Sequence, residues 1–456
     1  MTNDNTESDS LTRRQYVKAG GAGAATLAIA GCLGGGGDGD DDGETTSPDD
    51  GGDGTTQSGD DNGGGSGGEL EIVHWWTAGG EEDALQALVE GFEEEYPDVT
   101  VNNNPAPGGA GSALDTEIQS RILNEDPPST FQIWPGKALN TYTESEVLVD
   151  IGDSVWGEEM RDAYLEGVKQ MSQPAGDYVA VPLNIHRLNN LFYNVSVLED
   201  AGVDPGSLDS PSALLDAMET IASETDATPM AHQTQAPWSS VQLWESVLIG
   251  VAGVDVYQDV LDGNVAANED AVKEALQLVA DYSEYFNEDA GSVAWDEANS
   301  GVIQGDAAFL HQGDWAAGQY KAAEDFEFGT DWEHVPFPGT GGVYHVVTDS
   351  FVMPTSNPSP DATEKWLRYC GSVDGQERFN PIKGSIPPRT DVPDDEFGPF
   401  LTAQREDFEN SDAQPPSIAH GTGVTPEVKS NVEGAFSSFN GSWNVDSTYN
   451  ELTNAF

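Results

Sequence analysis

Tryptophans and a few isolated polar side chains are the residues of this chain best suited to chemistry. Trp75 and Trp76 are adjacent, and Gln132 and Trp134 stand two apart in a second short apolar segment. Trp238 follows Gln235-Ala236-Pro237, and Asp314 sits between Gly313 and Trp315. Lys383 opens Lys383-Gly384-Ser385-Ile386-Pro387, and His420 lies in Ala419-His420-Gly421. Flat indole faces stack on apolar ring faces, while carboxylates, amides and ammonium groups exchange hydrogen bonds that strengthen when one partner is charged. That set suits non-covalent capture of a small polar molecule. Bond-making has less to stand on. There is no nucleophile elbow, phosphate loop or metal motif, and no two of the seven histidines share metal-ligand spacing on one helix. Neither a metal nor a cofactor is expected.

The elements that position these groups follow from hydrophobic periodicity. Leu70 to Trp75 reads as a strand, and Leu85, Leu88, Val89 and Phe92 mark a helix that stops at Tyr96-Pro97. A strand at 99–101, a helix through Leu114, Ile118 and Ile122, and a strand at 130–134 complete a βαβαβ run. That order implies an α/β fold with a parallel sheet and right-handed crossovers, and ligands then lie at the carboxyl ends of the strands. Trp75-Trp76 and Gln132 to Trp134 both fall there. Strands are also expected at 178–182, 191–193 and 351–353, and helices through Leu214 to Ile221 and, after the Pro237 break, Val241 to Val251. Residues 69–456 are long for a single core and predict two lobes.

The front of the chain reads as an address. Arg13-Arg14, a short Gly/Ala-rich apolar run and Ile29-Ala30-Gly31-Cys32 match a twin-arginine signal ending in a lipobox, with Cys32 as the lipidated residue. Residues 33–68, rich in Gly, Asp, Ser and Thr, read as a flexible acidic tether. Cys370 then has no disulfide partner and is expected in the core. The chain carries 81 acidic and 17 basic residues, a formal charge of −64, which excludes nucleic-acid binding. Most of the acids, 68 of them, lie from residue 69 onward, among aromatics in patterned segments. This is a folded protein suited to molar salt, not a disordered one.

The segment Val73-His74-Trp75-Trp76-Thr77-Ala78-Gly79-Gly80-Glu81 resembles the mature N-terminus of the glucose-binding proteins of ABC sugar importers, within the family 1 extracellular solute-binding proteins. So do 181–187 with 191–194, Gly313-Asp314-Trp315-Ala316, 335–340, Asp349-Ser350-Phe351, 383–387 and 419–421, all in the same order across 69–430. The resemblance implies two α/β lobes of the periplasmic-binding-protein type (type II) closing about a hinge. Residues 69–186 with 347–395 would form one lobe, and 187–346 with 396–456 the other. It also implies glucose or a related hexose (mannose and galactose included) as ligand, an ABC permease with a cytoplasmic ATPase as partner, a monomer, and an anchored position on the outer face of the membrane.

By this resemblance at least one of Trp75 and Trp76 stacks on the sugar, Trp238 closes over it from the second lobe, and Glu81 and Gln132 accept from its hydroxyls. Asp314 is the principal carboxylate, Lys383 a donor and His420 a second donor. Glu81 also suits a plain helix N-terminus, and His186 and Arg187 are expected to support the hinge. Some relatives carry Lys or His where this chain has Trp134, with Lys137 three residues on; Trp134 adds stacking area and points toward another hexose or a disaccharide. A glycosidase reading needs Glu81 and Asp314 about 5–9.5 Å apart across a bond, and nothing in their spacing supports it. A phosphate binder would want clustered Arg or Lys, and a purely structural lipoprotein would show no response to ligands. Self-repulsion among the acids predicts a salt requirement, because the Debye length shrinks to about 3 Å at 1 M salt. Thermal unfolding followed by circular dichroism is expected to show the midpoint falling steeply as KCl is lowered from molar to millimolar; an unchanged midpoint would contradict this reading.

Overall fold

The computed structural model describes residues 68–106 and 111–456. Arg13-Arg14, the expected lipidation site Cys32 and the expected tether up to residue 67 lie outside them. Among the described residues no helix is long and apolar enough to cross a membrane.

The βαβαβ start folds as the periodicity predicts. Strands β1 (Glu69–His74), β2 (Thr100–Pro105) and β3 (Thr130–Ile133) lie in the order β2-β1-β3, all parallel. Trp75-Trp76 and Trp134 therefore begin just past the carboxyl ends of their strands. The intervening helix Glu81–Glu95 buries Ala84, Leu85, Leu88 and Phe92, a spacing that makes one continuous apolar stripe. Further along come β4 (Ala180–Pro182), β5 (His186–Arg187), β6 (Asn190–Asn194), β7 (Thr228–Ala231), β8 (Ala307–Gln312), β9 (Trp332–Pro336), β10 (Val346–Val347) and β11 (Ser350–Val352). β11 runs antiparallel between β3 and β4, completing the first sheet as β2-β1-β3-β11-β4. Its Phe351 is fully buried between Trp76 and Trp366, with ring centroids 5.8 and 5.4 Å away.

The second sheet has the order β7-β8-β6-β9. Helices Trp238–Ala252, Glu269–Tyr282, Pro426–Ser442 and Val445–Ala455 pack into a second core around Trp244, Tyr257, Tyr282 and Phe436. The helix expected after Pro237 starts at Trp238 itself, with Pro237 at its N-cap, where a missing N–H costs nothing. Cys370 is fully buried at the end of the helix Pro360–Cys370, beside Trp366 and Tyr369.

Two chain crossings join the sheets. The chain leaves β4 for β6 through β5 and returns from β9 to β11 through β10. β5 and β10 pair antiparallel, with Val347 opposite His186 and Val346 opposite Arg187. A third stretch runs alongside, held by Tyr344 N–H to Ala413 O (2.9 Å) and Val346 N–H to Pro415 O (3.0 Å). Short paired segments of this kind can bend with small φ/ψ changes while the sheets on either side stay rigid. The first sheet rests on Phe351 for its packing. Phe351→Ala should lower unfolding free energy in molar salt by about 3–5 kcal/mol in a denaturant titration; a loss below about 1 kcal/mol would contradict the packing described.

Candidate functional site

A cavity of about 70 Å³ lies between the two sheets and against the crossing strands. Six of the chain's 11 tryptophans line it: Trp75, Trp76, Trp134, Trp238, Trp295 and Trp315. Trp75 packs on Trp134 at 4.9 Å, and Trp134 meets the His420 ring edge-on at 5.1 Å. Trp315 and Trp238 close around the same imidazole at 5.7 and 6.0 Å. Aromatic rings from both sheets thus meet around one small space, and none of the six is more than 9 % exposed. Trp295 reaches across to Gly79, a left-handed glycine (φ 59°) where an added Cβ would sit 2.9 Å from the indole.

The polar wall is built where two helix ends meet. Glu81 is the first residue of its helix, and Lys383 is the last of the helix Val373–Lys383, which Gly384 terminates at φ 81°. Each charge sits at the end of the helix dipole that favours it, and the two helices pack against each other. Lys383 Nζ donates to Glu81 Oε1 at 2.9 Å and to His186 Nε2 at 3.2 Å. It also lies 5.8 and 5.6 Å from the ring centres of Trp76 and Trp315, within cation–π range. His186 Nδ1 faces the carboxylate of Asp314, so Nδ1 carries the proton and Nε2 accepts. Asp349 completes the wall: its Oδ2 accepts from Asn184 at 2.7 Å and its Oδ1 from Gln132 at 3.2 Å. Burial would raise Asp349, but the Lys383 charge and the Asn184 bond outweigh it and hold the carboxyl down at about 2. For Glu81 and Asp314 burial wins and both are raised, despite Lys383 beside the first and His186 beside the second.

The structure brings together Trp75, Trp76, Glu81, Trp134, Trp238, Lys383 and His420 as cavity wall. Gln132 and Asp314 stand behind it. Gln132 Oε1 is taken by the Trp75 N–H (3.1 Å), so the side chain fixes the backbone that carries the tryptophan pair. Asp314 is fully buried, and its two oxygens are committed to His186 and to the Arg187 N–H (3.0 Å). It ties the second sheet to β5 and faces no open space, which also removes the Glu81–Asp314 pair that a glycosidase would need. His186, expected only as support, lines the cavity itself, while Arg187 turns away to Asp407 at 2.7 Å. Lys137 is exposed, and its backbone N–H donates to Thr422 O at 3.2 Å. Sequence reasoning gave no role to Asp349, Trp295, Trp315, Thr77, Ala78 or Val347. An acid directly before the apolar strand β11 was the available signal for Asp349; nothing local marks Trp295.

Two α/β sheets joined by paired crossing strands, with an aromatic-lined cavity between them, define a two-lobed binding protein. The chain belongs to the bacterial extracellular solute-binding protein family, which it matches over residues 87–405, and it is a binding protein, not an enzyme. It is 43% identical over 461 residues to the xylose/arabinose-binding protein XacG of Haloferax volcanii, covering 100% of this chain and 99% of that protein. It is 38% identical over 387 residues to an uncharacterized ABC transporter extracellular-binding protein of Pyrococcus horikoshii, covering 85% of this chain and 87% of that one. Among solved structures it resembles the bacterial solute receptor AcbH, described with an exclusive preference for β-D-galactopyranose. The TM-score is 0.74 at 16% identity, over 85% of this chain and 97% of that one, a likeness of fold.

A buried ion pair contributes little net stability, but removing one partner strands the other. Lys383→Met alone should therefore cost about 3–5 kcal/mol, and adding Glu81→Gln should return most of that loss. Chemical denaturation of both variants in molar salt checks this; equal stabilities for single and double variant would contradict the pairing.

Proposed function

We propose that the chain is the extracellular substrate-binding protein of an ABC sugar importer and that it closes on a single aldopyranose ring. The observation that carries this reading is the meeting of six indoles with a buried Lys383–Glu81–His186–Asp349 cluster in one cavity. Indole faces cover the C–H faces of a pyranose, and a preset array of donors and acceptors replaces the water lost from its hydroxyls. Trp75, Trp76, Trp134 and Trp238 supply the stacking surface, Lys383 donates, and Glu81, Asp349 and His420 complete the polar rim, with Gln132 and Asp314 holding the wall from behind.

The named relative bears on the sugar. Trp134, expected to move specificity toward another hexose or a disaccharide, packs against Trp75 and His420 in the cavity wall. Xylose is glucose without the exocyclic CH₂OH, so the two present the same ring hydroxyls. With a xylose/arabinose-binding relative at 43% identity, a pentose takes precedence over the glucose that the sequence resemblance implies. The lobes are residues 69–186 with 347–395, and 187–346 with 396–456. The protein works as a monomer, exported by the twin-arginine route, anchored through Cys32 on the 33–68 tether, and delivers sugar to a permease driven by a cytoplasmic ATPase.

Calorimetric titration of residues 69–456 in roughly 2–3 M KCl, where the charge is screened, tests the reading. Xylose, arabinose, glucose, galactose and maltose are the ligands. Binding of a monosaccharide at micromolar strength or tighter, about −8 kcal/mol, and its loss in Trp75→Ala are expected. Binding of maltose alone would overturn the one-ring reading, and folded protein that binds none of the five would overturn the sugar assignment.

A further inference from the structure

His420 is held from behind by a chain of groups that lies outside the cavity wall. Its Nδ1 lies 3.1 Å from Ser417 Oγ, and its backbone N–H donates to the same oxygen at 3.2 Å. Ser417 Oγ is in turn 3.0 Å from Glu245 Oε2. Glu245 comes from the helix Trp238–Ala252, is fully buried, and receives Tyr257 OH (2.5 Å), Ile418 N–H (2.5 Å) and Ala419 N–H (3.3 Å) on its remaining acceptor sites. Nε2 of His420 has no hydrogen-bond partner among the described residues, and the ring lines the cavity.

Counting donors settles which nitrogen carries the proton. A carboxylate only accepts, so the Ser417 hydroxyl donates to Glu245. Its two lone pairs then receive the His420 backbone N–H and Nδ1–H. Every group in the chain is satisfied in this arrangement, and Nε2 is left with a bare lone pair. We infer that Glu245, through Ser417, sets the hydrogen-bonding polarity of His420, making it an acceptor for a ligand hydroxyl rather than the donor its sequence context suggests. Glu245 and Ser417 are positioning residues: they act on the ligand only through the imidazole.

The same chain has a second state. If Glu245 takes up one proton, its O–H donates to Ser417 Oγ, the Ser417 hydroxyl turns to donate to Nδ1, and the ring proton of His420 exchanges from Nδ1 to Nε2. One proton is gained, His420 stays neutral, and Nε2 becomes a donor. Burial pushes Glu245 up to about 7, which puts this change in an accessible range. The groups facing Glu245 stay fixed there: the Tyr257 hydroxyl is raised by burial, and His345, 3.8 Å away, is held neutral by burial at about 3. His420 is kept well below its usual range chiefly by burial, with the Lys429 charge acting in the same direction and Asp349 opposing it.

The test is the tautomer of His420, read from imidazole nitrogen shifts of labelled, sugar-free protein in molar salt. Wild type should show Nδ1–H near pH 8.5 and shift toward Nε2–H near pH 6, the values chosen to bracket the Glu245 transition. Glu245→Gln, whose amide N–H₂ imitates the protonated acid toward Ser417, should show Nε2–H at both. Ser417→Ala should abolish the response to pH. A wild-type Nε2–H tautomer at pH 8.5, or a Glu245→Gln protein with the wild-type pattern, would overturn the inference. The measurement needs no ligand, so it stands apart from the sugar assignment. Where a monosaccharide does bind, Glu245→Gln should weaken it up to about tenfold, the worth of one hydrogen bond; unchanged affinity would remove His420 as the acceptor.

Discussion

Lys383 has almost no contact with water, and its charge must be met inside the protein. An ammonium taken out of water costs several kcal/mol unless partners replace its hydration. Here Glu81 and His186 do so directly, with Asp349 close by and two indole faces on either side. Each partner is fixed by something else: Glu81 by its helix start, His186 by Asp314, Asp349 by Asn184 and Gln132. Each member of the cluster is thus held by the protein itself, so a ligand need not bear the full cost of ordering it.

The same residues also connect the cavity to the crossing strands. His186 and Val347 lie on the paired crossing strands, and Asp349 follows two residues later. Asp314 approaches from the end of β8 in the second sheet and grips β5 through His186 and the Arg187 N–H. Bending at these strands would shift the polar wall relative to Trp238, Trp295 and Trp315. Under the proposed function closure and capture would be one event, because a ring between the lobes would add contacts to both and stabilise the closed arrangement.

Much of this was legible in the sequence, and the parts that were not have physical reasons. The first three strands and their helices announce themselves by period, and the tryptophan pair sits at the strand ends where topology requires ligands. The place of β11 between β3 and β4 has no local signal, because its Phe351 pairs with Gln132 from far along the chain. Residue type also says nothing about direction. Gln132 and Asp314 have the chemistry of ligand contacts, but their oxygens are spent on Trp75 N–H, His186 and Arg187 N–H. Trp295 reaches the site only because the second lobe folds over Gly79, a relation between residues more than two hundred positions apart. The polarity of His420 needed the whole chain of Ser417 and Glu245 to be seen at once.

The central claim is that one aldopyranose occupies the indole-lined cavity against the Lys383 cluster. A crystal structure of the protein grown with xylose in molar salt tests it most directly. The account predicts a single ring enclosed by Trp75, Trp134 and Trp238, with its hydroxyls on Lys383 and Asp349. A sugar bound elsewhere on the molecule, or held without any contact to Lys383 or Asp349, would contradict it.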